Sequence, residues 1–430
     1  MDLIRQPPRR ASNVNMAGIV GLARMTDKAR GHNAELLGDY RYGAGSGLDV
    51  EVLEFINMNE EEFAEAADEL SDADLGTLAR ECSGRAQADI DEFNREHLER
   101  EPQDDLHRQL LNERLDKFAP GRIDITTVFA SMELDDWGCY KDLDLTQRPP
   151  RTPYLRSVFG IAGAARMADK ARARTSGKYG DYKYGDDSYI DRTILEFLGI
   201  SADDFAEAAY ANPNDVELGE WITERKQPGP GEVAALNVRL TSHGESTPGF
   251  EDRFRSRHAE VCSDRPEVCT FYAMMDIDDQ QSFGIVDLNR RPPRSPYDTS
   301  IGDVVALARM IDKGRAHLSG HLGSYWFGED SGFDRRLLDY LGVTPDEFCA
   351  GLQENATDES VAAWLGAPLN KDPSALNREL LHLAPSNDRA KGFLRSLVNG
   401  ADPSRHDIDT FTAMTYLDDI VTFARLWAPV

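Results

Sequence analysis

Apolar residues along this chain recur at helical spacing, and the same succession of elements can be read three times over. An amphipathic helix comes first, carrying Arg-Met-x-Asp-Lys-x-Arg at Arg24–Arg30, Arg166–Arg172 and Arg309–Arg315. An aromatic-glycine turn follows, at Gly38–Gly43, Gly180–Gly185 and Gly323–Gly328, and is the single strand-hairpin candidate of each copy. A second helix ends near Phe55, Phe197 or Tyr340, with Gly199 and Gly342 suited to its C-cap. The third helix opens at Asn59, Ser201 or Thr344, with an acid three residues on in capping-box spacing and Pro345 fitting a first turn. Its core anchors are Phe63, Phe205 and Phe348. A short fourth helix carries Trp221 and Trp364, with Leu78 as the counterpart in the first copy.

The second half of each copy changes more in sequence and length. It keeps an asparagine (Asn94, Asn237, Asn377) and a closing helical segment, with Phe129, Tyr272 and Phe411 read as equivalents. That segment ends in an acidic pair, Asp135-Asp136, Asp278-Asp279 or Asp418-Asp419. Strand signals are otherwise sparse, so the pattern predicts a mainly α protein of three tandem, similar helical units of about 140 residues. The boundaries lie in proline-rich connectors, Arg-Pro-Pro-Arg at 148–151 and 291–294 and a worn form at 5–9; paired prolines hold the backbone extended. The expected units are 1–143, 144–286 and 287–430, and the sequence after Trp427 reads as the end of a complete array.

Composition narrows the partners. A formal net charge of −28 disfavours nucleic acid and anionic membrane surfaces, which need clustered Lys and Arg. Five cysteines in no Cys-x-x-Cys pair point to a reducing compartment, without structural zinc or a disulfide framework. The N-terminus does not read as a secretory signal, and the longest apolar stretch, Val158–Ala165, is too short to span a bilayer. A cytoplasmic location is expected.

Against that acidic background the basic motif stands out. Residues four apart share a helix face, which aligns Arg24, Lys28 and His32, then Arg166, Lys170 and Arg174, then Arg309, Lys313 and His317. Like charges so stacked cost roughly 0.2–0.5 kcal/mol per pair, yet the chain builds the stripe three times. Asp27, Asp169 and Asp312 flank it and offset only part of the charge, while Arg30, Arg172 and Arg315 add to it. The stripe therefore requires an anion. The first source is the copy's own carboxylates, either the closing acidic pair or Asp49, Asp191 and Asp334. The second is an external phosphate, sulfate or carboxylate held by arginine forks and a lysine charge. The third is the acidic surface of a protein partner. On the external readings the ligand-binding residues are Arg24, Lys28, Arg30, Arg166, Lys170, Arg172, Arg309, Lys313 and Arg315.

Tyr40, Tyr182 and Tyr325 recur in the turn and are open to a chemical role, whereas Tyr42 and Tyr184 become Phe327, the exchange of a packing position. An enzyme built here would use Asp27, Asp169 or Asp312 as base and the first tyrosine as proton donor. The acidic pairs lack the glycine and distal glutamate of a calcium loop. His97, His107, His243, His258, His321, His382 and His406 do not recur between copies and are expected at the surface. No nucleotide, haem or metal pattern is found, so no cofactor and no metal site is expected.

Arg-Pro-Pro-Arg-Ser-Pro-Tyr at 291–297, the basic helix after it, Gly-Ser-Tyr at 323–325 and Tyr-Leu-Gly-Val at 340–343 resemble a bacterial family, domain-of-unknown-function family 5069. The resemblance covers nearly the whole chain in three copies, strongest in the first half of each, and supports the unit count without supplying an activity. The favoured reading is a binding or scaffold protein with one Arg/Lys/Tyr site per copy for an anionic small molecule or acidic partner, since tandem sites raise avidity. An Asp/Lys/Tyr acid–base enzyme and a purely structural, self-assembling protein with internally neutralised charge are the alternatives.

Overall fold

A computed structural model of the chain describes residues 1–263, 265, 268–355 and 357–427; the tail at which the sequence ends the array, 428–430, lies outside them. Among the described residues each copy contains seven helices and no strand. The first copy has α1 (Leu22–Asn33), α2 (Gly47–Ile56), α3 (Glu60–Glu69), α4 (Asp72–Ser83), α5 (Gln87–Glu99), α6 (Asp105–Phe118) and α7 (Val128–Tyr140). The second has α8 (Ala164–Thr175), α9 (Tyr189–Leu198), α10 (Ala202–Ala211), α11 (Asp215–Thr223), α12 (Pro230–Thr241), α13 (Glu251–Val261) and α14 (Phe271–Ser282). The third has α15 (Leu307–Leu318), α16 (Gly332–Leu341), α17 (Pro345–Glu354), α18 (Asp358–Leu365), α19 (Ser374–Leu381), α20 (Asp388–Ala401) and α21 (Phe411–Trp427). Spatially the chain forms two compact units, Met1–Val233 and Ala234–Val430, so the division in space falls inside the second copy.

Local chemistry sets the helix ends where the sequence places them. Asn59 with Glu62 and Thr344 with Glu347 form capping boxes, and Ser201 accepts from the Asp204 N–H. Gly199 and Gly342 close α9 and α16 in the left-handed region, and Asn57 does so for α2. Phe63, Phe205 and Phe348 are fully buried. The aromatic turn forms no hairpin: the chain passes from Tyr42, Tyr184 or Phe327 straight into a 3-10 turn at Gly43–Gly45, Gly185–Asp187 or Gly328–Asp330. Its reversal is made by a glycine at positive φ rather than by strand pairing.

Two elements sit differently from their sequence appearance. The basic helices α1, α8 and α15 are central: nearly every residue from Leu22 to Ala29 and its counterparts is buried, the cations included. The connectors wrap them instead of hanging free. Leu3, Leu145 and Leu288 are buried, and each donates its N–H to a carbonyl just beyond the basic helix, at Leu36, Lys178 or His321.

The closing helices also correct one alignment. Thr127, Thr270 and Thr410 cap α7, α14 and, by the Ala413 N–H bond, α21. Phe411 therefore corresponds to Val128 and Phe271, and Thr412 takes the place of Phe129 and Tyr272. The shared asparagine has a structural task in two copies: Asn94 accepts from Val20 N–H and donates to Gly18 carbonyl, and Asn377 does the same with Val305 and Asp303.

Candidate functional site: the buried charge cluster of the basic helix

The site is assembled from three groups of contacts around each basic helix. The motif lysine faces α2 or its counterpart. Lys28 Nζ lies 2.5 Å from Asp49 Oδ1 and also donates to Arg41 carbonyl and Ser46 Oγ. Lys313 repeats this with Asp334 at 2.6 Å, Trp326 carbonyl and Ser331 Oγ; Lys170 meets both oxygens of Asp191 at 2.7 Å and the Lys183 carbonyl. The second carboxylate oxygen accepts from the N–H of Gly43, Gly185 or Gly328, whose positive φ of 63°, 63° and 65° turns that N–H inward. Burial pushes Lys28 down to about 8 against the pull of Asp49, and burial likewise pushes Asp49 up. Burial lowers Lys313 in the same way.

The motif aspartate faces the connector, not the stripe beside it. Arg9 donates its backbone N–H to Asp27 at 2.8 Å and forks onto both carboxylate oxygens, while its Nη1 reaches Asp72 at 2.5 Å. Arg151 joins Asp169 at 2.9 Å to Asp215 at 2.5 Å, and Arg294 joins Asp312 at 2.9 Å to Asp358. The last motif arginine completes this layer. Arg30 donates to Asp72 at 2.6 Å and to the Ala67 and Leu70 carbonyls at the end of α3. Arg172 meets the matching carbonyls of Ala209 and Asn212, and Arg315 meets Asp358 at 3.0 Å. Burial opposes ionisation of Asp169 and Asp312, but Arg151 and Arg294 outweigh it and hold both carboxyls below the ordinary value. Arg9, Arg151 and Arg294 lose by burial and gain more from their paired acids, ending above the usual arginine range.

The first motif arginine faces the closing helix. Arg24 Nη1 is 2.5 Å from Asp136, and Tyr40 donates its hydroxyl to the same carboxylate at 2.8 Å. Arg309 and Tyr325 hold Asp419 at 2.6 Å and 2.7 Å. In each copy the guanidinium lies over the tyrosine ring, at 5.6 Å for Tyr40 and 5.4 Å for Tyr182 and Tyr325. Burial, then the neighbouring aspartate, pushes the Tyr40 and Tyr325 hydroxyls far up. The second tyrosine packs: Tyr42 and Tyr184 donate to the Glu60 and Ala202 carbonyls, and Phe327 stacks on His317.

The candidate residues are thus gathered around one helix, but aimed in three directions. Asp27, Lys28 and Tyr40 do not converge on a common point; each ends on its own partner. Sequence reasoning named the carboxylates that meet the lysines and the closing-helix partners of Arg24 and Arg309. It missed Arg9, Arg151 and Arg294 and the aspartates that open the fourth helix, Asp72, Asp215 and Asp358. A signal existed: Ser-Asp, Asn-Asp and Thr-Asp recur at 71–72, 214–215 and 357–358, a helix cap followed by the acid in every copy. The expectation of surface histidines fails for His97 and His243, which are buried. Among the described residues no group of His, Cys, Asp or Glu is placed to hold a metal ion, and no helix is long and apolar enough to cross a membrane.

Fold and cluster together define a tandem, all-helical protein of three homologous units, each fastened by buried ion pairs. The chain belongs to the family described as Domain of unknown function (DUF5069), whose model matches residues 5–137, 147–281 and 290–421. No curated protein matches the chain.

Proposed function

We propose that this protein is a scaffold whose cationic stripes fasten each unit internally and leave its outer faces for contacts with other units or partners. The observation that carries the reading is the repetition of one buried lock. In each copy a connector arginine, the motif aspartate and the aspartate opening the fourth helix are joined, beside a lysine–aspartate pair. Buried charges persist when every one has a partner, and an external anion would enter only by displacing Asp49, Asp136 or their counterparts. The enzyme reading lacks a shared cavity in which Asp27, Lys28 and Tyr40 would meet one substrate.

Unit-to-unit docking within Met1–Val233 supports the scaffold reading. Asn214, fully buried, donates to the Pro7 carbonyl at 2.9 Å, and Gln6 accepts from the Asp215 N–H at 2.8 Å. Arg10 meets Asn212 and the Ala211 carbonyl, and Trp137 donates to the Tyr210 carbonyl at 3.0 Å. Adjoining copies are therefore bound by specific contacts as well as by the connector. Five free cysteines suit a reducing compartment, and we place the scaffold in the cytoplasm on that ground.

The test is a titration with phosphate, sulfate and citrate, followed by calorimetry and thermal unfolding at matched ionic strength. The scaffold reading expects no saturable binding, and a lower unfolding temperature for Lys313→Met. Saturable binding that Lys313→Met abolishes in a protein still fully folded would replace it with the anion-site reading.

A further inference from the structure

The three copies serve as controls for one another, and one place in the first copy breaks their agreement. Three residues beyond the shared asparagine, the second and third copies carry Leu240 and Leu380, 1% and 0% exposed, as ordinary core. The first copy carries His97 there, 3% exposed, its ring 4.0 Å from that of Phe93. An imidazole in a leucine's place loses hydration and needs polar partners to stay. Its Nδ1 is 2.8 Å from the Phe93 carbonyl and its Nε2 is 2.6 Å from Glu51 Oε2. Arg100 then forks onto Glu51 at 2.8 Å and 3.0 Å. The other copies have Thr193 and Arg336 at the position of Glu51, and His243 and Leu383 at that of Arg100. The three replacements form one assembly found only in copy one.

That assembly stands on the wall of a cavity of about 540 Å³ between α2, α5, α6 and α7. Such a volume suits a small organic molecule. Leu48, Leu110 and Met132 supply apolar surface, and Arg114, anchored on Ser131 and Asp135, supplies a second guanidinium. The polar capacity left over has one sign. Both oxygens of Glu51 are taken by His97 and Arg100, and Asp104 is taken by His107, leaving Glu101 as an exposed acid of the lining. The Nε–H groups of Arg100 and Arg114 meet no acceptor among the described residues. A molecule filling the cavity would therefore bring acceptor oxygens to the arginines and an apolar body to the leucine side.

We propose that the cavity of the first copy is a binding site for a small amphipathic carboxylate, with Arg100 and Arg114 as its anion holders and the His97–Glu51 pair positioning Arg100. The two later copies replace this polar wall and have no equivalent site. Octanoate and 4-phenylbutyrate are the probes, titrated into the full chain by calorimetry, with octylamine and 1-octanol as charge-reversed and neutral controls. The expected result is one saturable site per chain for the carboxylates. Binding should weaken at least tenfold in Arg100→Leu, which installs the third copy's residue, and at least threefold in His97→Leu. Leu110→Trp, which fills the cavity from an exposed helix, should abolish binding while leaving the unfolding temperature within a few degrees. Absence of saturable binding, preference for octylamine or octanol, or affinity unchanged in both Arg100→Leu and Leu110→Trp would each overturn the proposal.

Discussion

The lock around the basic helix and the wall formed by α2 and α5 answer differently to the same history of triplication. In the lock, arginine, aspartate and lysine stand at matching positions in all three copies and reach matching partners wherever both partners fall in one compact unit. In the wall, His97, Glu51 and Arg100 of one copy are leucines, threonine, arginine or histidine in the others. The difference lies in how completely the groups depend on each other. Removing one member of a fully buried ion pair strands the other, at a cost of about 3–5 kcal/mol, so single changes are barred. Glu51 and Arg100 are near 40% exposed, and water can take over a lost contact. Change is then tolerated, and a copy can acquire a site of its own.

The largest test of this contrast is Asp27→Ala, which leaves Arg9 buried beside Asp72 alone. It should destabilise the compact unit Met1–Val233 by about 3–5 kcal/mol in urea unfolding; a loss under about 1 kcal/mol would mean the lock is dispensable. Acid should act on the same groups. Because the folded-state pKa of Asp169 and Asp312 lies below the ordinary 3.8, their contribution is complete above that value and disappears as pH falls through the lower one. Asp312→Asn should therefore lower stability at neutral pH and flatten its fall below pH about 4, a slope measurable by denaturant midpoints across that range.

A smaller effect is expected at the second tyrosine. Tyr42→Phe removes one hydroxyl bond to the Glu60 carbonyl and should cost about 0.5–1.5 kcal/mol, given that Phe327 already serves in the third copy. The smallest belongs to the wall: His97→Leu trades two polar contacts for apolar packing that the other copies use. Its stability should stay within about 1 kcal/mol of the parent in the same urea assay. A loss as large as that of Asp27→Ala would erase the distinction between lock and wall.

Much of the fold was legible because its signals are local. Capping residues, the C-cap glycines and the phenylalanine anchors act within one or two turns, and each appears at its expected place. The aromatic turn misled because alternating Tyr and Arg imitate a strand over a few residues, while Gly43 and its counterparts decide the geometry. The partners of the stripe were legible only as a set of candidate acids. Copy comparison marked Asp136 and Asp49 as recurrent without assigning either to a cation, and the caps at 71, 214 and 357 drew attention away from the aspartates directly after them.

By itself the sequence determined the number of copies, the order and phase of their helices, and which residues share the cationic face. Only the tertiary structure decided what that face meets. Helical periodicity fixes the direction of a side chain about its own axis, but Arg24 finds Asp136 across 112 residues and Arg309 finds Asp419 across 110. Those distances are closed by packing, which carried the basic helix inside, folded the connector over it, and buried His97 where its sequence neighbours suggested a surface.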